Sequence, residues 1–194
     1  METYFGKPDE NNLSDDINEA VMRSVIRNIR TLLASPNSYE ARSELAWASA
    51  MAENGMLKIG KVTDFQAHQI EHQFGAYTNC NHGAGLAVIH PVLYRHIYKC
   101  NTARFARFAK NVWGVKPRKN DGETALAGIG ALSDFIREIG LPRRLAKCIF
   151  PPTPISAQLP TPRILPQAVA KSSAPTKFMK FCLHVDNKQK GVSL

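Results

Sequence analysis

From Leu13 to Ala34, apolar residues recur at Ile17, Val21, Val25, Ile29 and Leu32/Leu33, the spacing of one face of an α-helix. The same kind of pattern returns along most of the chain, and this repetition limits what the chain can fold into. Ser14, followed by Asp15 and Asp16, reads as an N-cap with acidic residues set against the helix dipole. Ser35-Pro36-Asn37 ends the first helix. A second helix is predicted from about Ser38 to Lys58, with Leu45, Trp47, Ala48, Met51 and Ala52 as its core side. A third is predicted over roughly Asp64 to Tyr77, and a fourth from His82 to about Lys99, with a kink expected at Pro91. Two more follow, Thr102 to Trp113 and Glu123 to Glu138, before Gly140-Leu141-Pro142 stops the last. Residues 1–150 show no strand pattern, no P-loop and no GxGxxG after a strand, so the expected fold class is all-α, a helical bundle.

Residues 151–194 differ in kind. They hold seven of the 12 prolines, in PPTP, LPTP and ILP. An irregular, Pro-rich basic tail is expected there, disordered or translated out of frame. The tail also explains much of the +9 net charge: it carries six basic residues and one acidic one, against 19 and 15 in the first 150. The basic excess is therefore no argument for nucleic acid, and Arg104 and Arg107 in RFARF read as the solvated face of an ordinary helix. No apolar run is long enough to cross a bilayer, and METYFGKPDENN is too polar for a signal peptide. A soluble, cytoplasmic chain is expected, with Cys80, Cys100, Cys148 and Cys182 as reduced thiols, since no C-x-x-C pair occurs.

Five of the six histidines fall between positions 68 and 96. His68 and His72 are four apart, so one helix face carries both rings. That spacing can chelate a metal ion, and it equally suits a solvated or hydrogen-bonded pair. His82 opens the next helix after the break Thr78-Asn79-Cys80-Asn81, from which a crossed helix pair can return it to the His68 face. Imidazole ligands suit iron and zinc alike. A competing pattern is H-x-x-E-H at His68 to His72, in which both histidines bind zinc and Glu71 is the general base of a hydrolase.

The run Asp64-Phe-Gln-Ala-His68-Gln-Ile-Glu-His72-Gln-Phe-Gly-Ala, with Asn81-His82-Gly-Ala-Gly-Leu-Ala-Val-Ile-His-Pro91, resembles the metal-site signature of iron-containing alcohol dehydrogenases, closest to their butanol-dehydrogenase-like branch. METYF, VIRNIRTLLASPNSYEARSELAWASAMAENGML, RFARFAKNVWGV and FIREIGLPRRL extend the resemblance over about residues 1–148, to the helical C-terminal half of that family. The resemblance implies His68 and His82 as metal ligands and His72 as a catalytic residue that handles substrate or proton beside the metal. It implies Fe2+, or Zn2+, as the ion, NAD or NADP as the hydride carrier, and a small alcohol or aldehyde as substrate. In the family an Asp-x-x-x-His pair supplies two further ligands just upstream of a segment like Met1-Glu2-Thr3-Tyr4-Phe5. That pair and the dinucleotide domain are expected to lie outside this sequence, which leaves the chain alone inactive, or a non-catalytic helical module that pairs with a separate N-terminal half. Self-association or a dimer is expected from the apolar face that such a half would leave open. No nucleic-acid or membrane partner is expected.

Overall fold

The computed structural model describes residues 1–6, 12–63 and 65–148. The tail assigned to residues 151–194 lies outside them. Among the described residues six α-helices carry the fold and no β-strand occurs: α1 (Leu13–Ala34), α2 (Tyr39–Glu53), α3 (Gln66–Thr78), α4 (His82–Ile97), α5 (Thr102–Trp113) and α6 (Asp121–Glu138). The all-α expectation is met. Short 3-10 turns lie at Met56–Lys58, Tyr98–Asn101 and Leu145–Lys147.

Local chemistry sets the helix ends. The cap of α1 is Asn12, whose side chain accepts from Asp15 N, and not Ser14. Ser14 lies inside the first turn and donates to the Ile59 carbonyl at 2.7 Å, which draws the Met56–Lys58 region onto α1. The second helix stops at Glu53, short of Lys58, because Gly55 takes a left-handed conformation (φ 88°) open to a residue without Cβ. Asn79, at φ 52°, ends α3 in the same way and frees the chain to turn into α4. The helix α4 runs on through Pro91, which is buried within it.

The core lies between α4, α5 and α6, with Leu93, Tyr94, Phe105, Ile129 and Leu132 among its buried members. The helices α5 and α6 pack most extensively, and their crossing depends on one small residue. A Cβ on Gly128 would stand 2.4 Å from Ala109 Cβ, so glycine lets the two backbones approach. Trp47, expected in the core, is 67% exposed; α2 buries only Ala41 and Ala48.

The segment Met1–Gly6 threads into this core. Phe5 stacks on Phe105 at 4.3 Å and meets Tyr94 at 4.8 Å, and Tyr4 is fully buried. A polar network holds the segment in place. Arg104 donates to the Tyr4 carbonyl through Nε (3.0 Å) and Nη2 (2.9 Å) and pairs with Asp15, which also receives Lys61 at 2.5 Å. Tyr4 O–H donates to Glu19 at 2.8 Å, and Arg107 reaches Glu19 and Asp16. Arg104 is therefore buried, contrary to the solvated face expected of it. The packing side of α1 near its start is polar (Asp15, Asn18, Glu19), because its partners are these basic and hydroxyl groups.

Candidate metal centre

The helix α3 has no side-chain cap of its own, since Phe65 occupies the cap position. Glu2 supplies the missing acceptor from the far end of the sequence. Its Oε1 accepts the Ala67 N–H at 2.6 Å, and its Oε2 pairs with Nδ1 of His68. A carboxylate at a helix N-terminus also sits favourably in the helix dipole. Burial pushes the Glu2 carboxyl up, but His90, His68 and the Ala67 N–H outweigh it and bring it down to about 2. His90, buried on α4, has Nε2 3.8 Å from Glu2, and burial lowers its own pKa.

Glu71 plays the matching part for the second helix. Its Oε2 pairs with Nδ1 of His82, the first residue of α4, which is fixed by the Asn81 cap (Ala84 N to Asn81 Oδ1, 3.1 Å). Glu71 is 2% exposed, and two glycines make its slot. A Cβ on Gly85 would lie 2.8 Å from Glu71 Cγ, and one on Gly75 would lie 3.0 Å from its Oε1. In the H-x-x-E-H reading Glu71 is a general base. Its place in the structure is that of a buried support for His82.

The three histidines read from the sequence converge. Ring centroids are 5.2 Å apart for His68–His82, 5.3 Å for His72–His82 and 5.9 Å for His68–His72. His68 is half-buried, while His72 and His82 are exposed. Donor atoms of Glu71, His72 and His82 all lie within 4.8 Å of one another, a grouping able to hold a metal ion. When Nδ1–H donates to a carboxylate, the imidazole lone pair is left at Nε2, and the ring is fixed in tautomer and direction. His68 and His82 both have this arrangement, through Glu2 and Glu71. The donor set fits a divalent first-row metal by its chemistry: three imidazoles, two of them anchored by carboxylates, beside an exposed rim.

Sequence reasoning missed Glu2 and His90, and it gave Glu71 a different part. Glu2 is 65 residues from Ala67, and no local pattern marks it. The open N–H groups of a helix start call for an acceptor, but Asp64, just ahead of Phe65 in the sequence, was the nearer candidate for that part.

Comparison with known proteins places this geometry in context. Residues 1–155 match the model for the Fe-containing alcohol dehydrogenase family, C-terminal. NADH-dependent butanol dehydrogenase B of Clostridium acetobutylicum is 38% identical over 147 residues, 75% of this chain and 38% of that protein. NADPH-dependent aldehyde reductase YqhD of Escherichia coli is 27% identical over 146 residues, again 75% of this chain and 38% of that protein. The structure of NADH-dependent butanol dehydrogenase A from Thermotoga maritima superposes with a TM-score of 0.72 at 30% identity, covering all of this chain and 44% of that one. The chain thus spans under two fifths of the length of the curated relatives named here.

Proposed function

The chain belongs to the Fe-containing alcohol dehydrogenase family, and from that premise we propose that its helices form the metal-binding half of an oxidoreductase interconverting short-chain alcohols and aldehydes. His68 and His82 are the metal ligands, each presenting Nε2 while a buried carboxylate holds Nδ1. His72, exposed and 5.3 Å from the His82 ring, handles the substrate or its proton. A divalent ion held at this position supplies Lewis-acid polarisation of a carbonyl or alcohol oxygen. We assign Fe2+, in keeping with the family, with Zn2+ served by the same donors.

The observation that carries this reading is the doubled carboxylate–histidine arrangement, Glu2 on His68 and Glu71 on His82, around three converging rings. A merely solvated histidine pair has no use for two buried carboxylates, because burying each one opposes its charged form. Hydride would come from NADH or NADPH bound outside the described helices, which contain no strand on which a dinucleotide fold is built. We therefore expect the chain by itself to be inactive, and to act with residues that bind the nucleotide. Exposed Leu13, Tyr39, Trp47 and Val62 support self-association or a partner surface. No described helix is long and apolar enough to cross a membrane, and we place the chain in the cytoplasm.

The test is metal binding by the purified chain. Anaerobic titration with Fe2+, or with Co2+ as an optical reporter, should give one ion per chain at low affinity. His68→Ala and His82→Ala should each remove it. Binding unchanged in both variants would sink the assignment. Oxidation of butanol by the chain alone with added iron and NAD(P) would overturn the expected inactivity.

A further inference from the structure

Between α4, the second half of α6 and the segment after it lies a cavity of about 170 Å3. None of His68, His72 and His82 lines it. Its apolar wall comes from Val88, Pro91 and Val92 on α4 and Ile136 on α6. Gly130 leaves the α6 side bare, since a Cβ there would meet nothing within 4 Å. Three guanidiniums, of Arg95, Arg137 and Arg143, line the same space with one carboxylate, that of Asp134, so positive charge is in excess. The arginines come from three elements. Gly140, at φ 75°, turns the chain at the end of α6, where the Leu141 N–H donates to the Ile136 carbonyl at 3.1 Å, and the turn returns Arg143 to the cavity. Arg137 is taken up by Asp134 at 2.9 Å. Arg95 donates from Nη2 to Ser133 Oγ at 3.3 Å, and Ser133 gives its own hydrogen to the Ile129 carbonyl at 3.1 Å. That bond orients the Arg95 fork and leaves its other N–H groups for a ligand. Arg143 has no hydrogen bond or ion pair among the described residues.

We propose that this cavity binds a small phosphate monoester, its phosphate between Arg95 and Arg143 and its short carbon chain on the apolar wall. Like charges gathered at one cavity repel one another, and an anion among them removes that cost. The number of donors favours phosphate over carboxylate. One guanidinium fork satisfies the two oxygens of a carboxylate, whereas a phosphate monoester offers three peripheral oxygens and up to two charges, which suits donors arriving from separate elements. Size limits the rest of the ligand. At about 30 Å3 per water the cavity has room for roughly five waters, enough for a phosphate and a few carbons. It is smaller than the roughly 300–1,000 Å3 of sites that take drug-sized ligands. Val88, Pro91, Val92 and Ile136 offer that carbon chain no polar partner from their side chains, so the chain is itself apolar.

The inference is independent of metal binding, so the test is run on the full chain with chelator present and ionic strength fixed. The probe is butyl phosphate, titrated calorimetrically. It should bind one per chain, about tenfold tighter than inorganic phosphate, which has no carbon chain to cover the apolar wall. Arg95→Ala and Arg143→Ala should each weaken it about tenfold, the loss of one charge-assisted contact. Gly130→Leu fills the cavity without touching a charge and should abolish binding. Arg27→Ala removes an exposed arginine of α1, outside the cavity, and should leave binding unchanged. Circular dichroism checks that each variant is folded. No binding to the wild type, undiminished binding to Gly130→Leu, or an equal loss in Arg27→Ala would overturn the site. Butyrate bound as tightly as butyl phosphate would overturn the phosphate, and inorganic phosphate bound as tightly would overturn the place of the carbon chain.

Discussion

Glu71 on α3 and His82 at the first residue of α4 are joined carboxylate to Nδ1, so two helices that follow one another in sequence are tied together beside the ring cluster. The link fits because Gly75 and Gly85 leave room for the Glu71 side chain. It aims His82 and fixes which of its nitrogens is open to a ligand.

Glu71→Gln keeps the size of the side chain and removes its charge. It should weaken Co2+ or Zn2+ binding by roughly 10–100-fold, the usual effect of losing such a support, while helical circular dichroism stays unchanged. Calorimetric titration is the check. Equal affinity in variant and wild type would mean that Glu71 does not orient His82.

Glycine content in α6 separates two kinds of position. Gly128→Ala forces a Cβ to 2.4 Å from Ala109 Cβ and should cost about 3 kcal/mol or more. Gly130 meets nothing within 4 Å, so Gly130→Ala should stabilise by roughly 0.5–1 kcal/mol through the lower entropy of the unfolded chain. Urea unfolding of the two variants measures both, and similar shifts in the two would contradict the close α5–α6 crossing.

The buried and exposed arginines should also differ. Arg104 lies between Asp15 and the Tyr4 carbonyl, with its side chain 2% exposed. Arg104→Ala leaves a buried carboxylate short of a partner and should destabilise by about 3–5 kcal/mol. Arg137 pairs with Asp134 at 2.9 Å with both side chains mostly exposed, and Arg137→Ala should cost less than about 1 kcal/mol. Thermal melts at a fixed salt concentration discriminate the two.

Acid should act through Asp15. Burial pushes its carboxyl up, but Arg104 and Lys61 outweigh burial and hold it below the usual aspartate value of 3.8. A depressed carboxyl contributes stability that is whole above its unfolded pKa and is lost as pH falls through its folded pKa. The wild-type melting temperature should therefore fall more steeply below about pH 4 than that of Asp15→Asn, which starts lower at neutral pH. Parallel curves from pH 7 to 3 would show that this network does not drive acid unfolding.

The sequence by itself determined the helices and the family. Apolar spacing gave α1 as Leu13–Ala34 and α5 as Thr102–Trp113, both as observed, because these segments carry their signal within a few turns. His68, His72 and His82 were legible for the same reason: two share a helix face, and the third follows a short break. Only the tertiary structure decided what supports them. Glu2 reaches His68 across 66 positions, and Cys148 meets the start of α4 across 64. No periodicity encodes such distances. The polar packing side of α1 was hidden likewise, since Asp15 and Glu19 are buried only by virtue of Arg104, Lys61, Tyr4 and Arg107, which lie on other elements. Local pattern fixes secondary structure through interactions a turn or two apart. Burial of a charge depends on a partner that only the folded chain brings near.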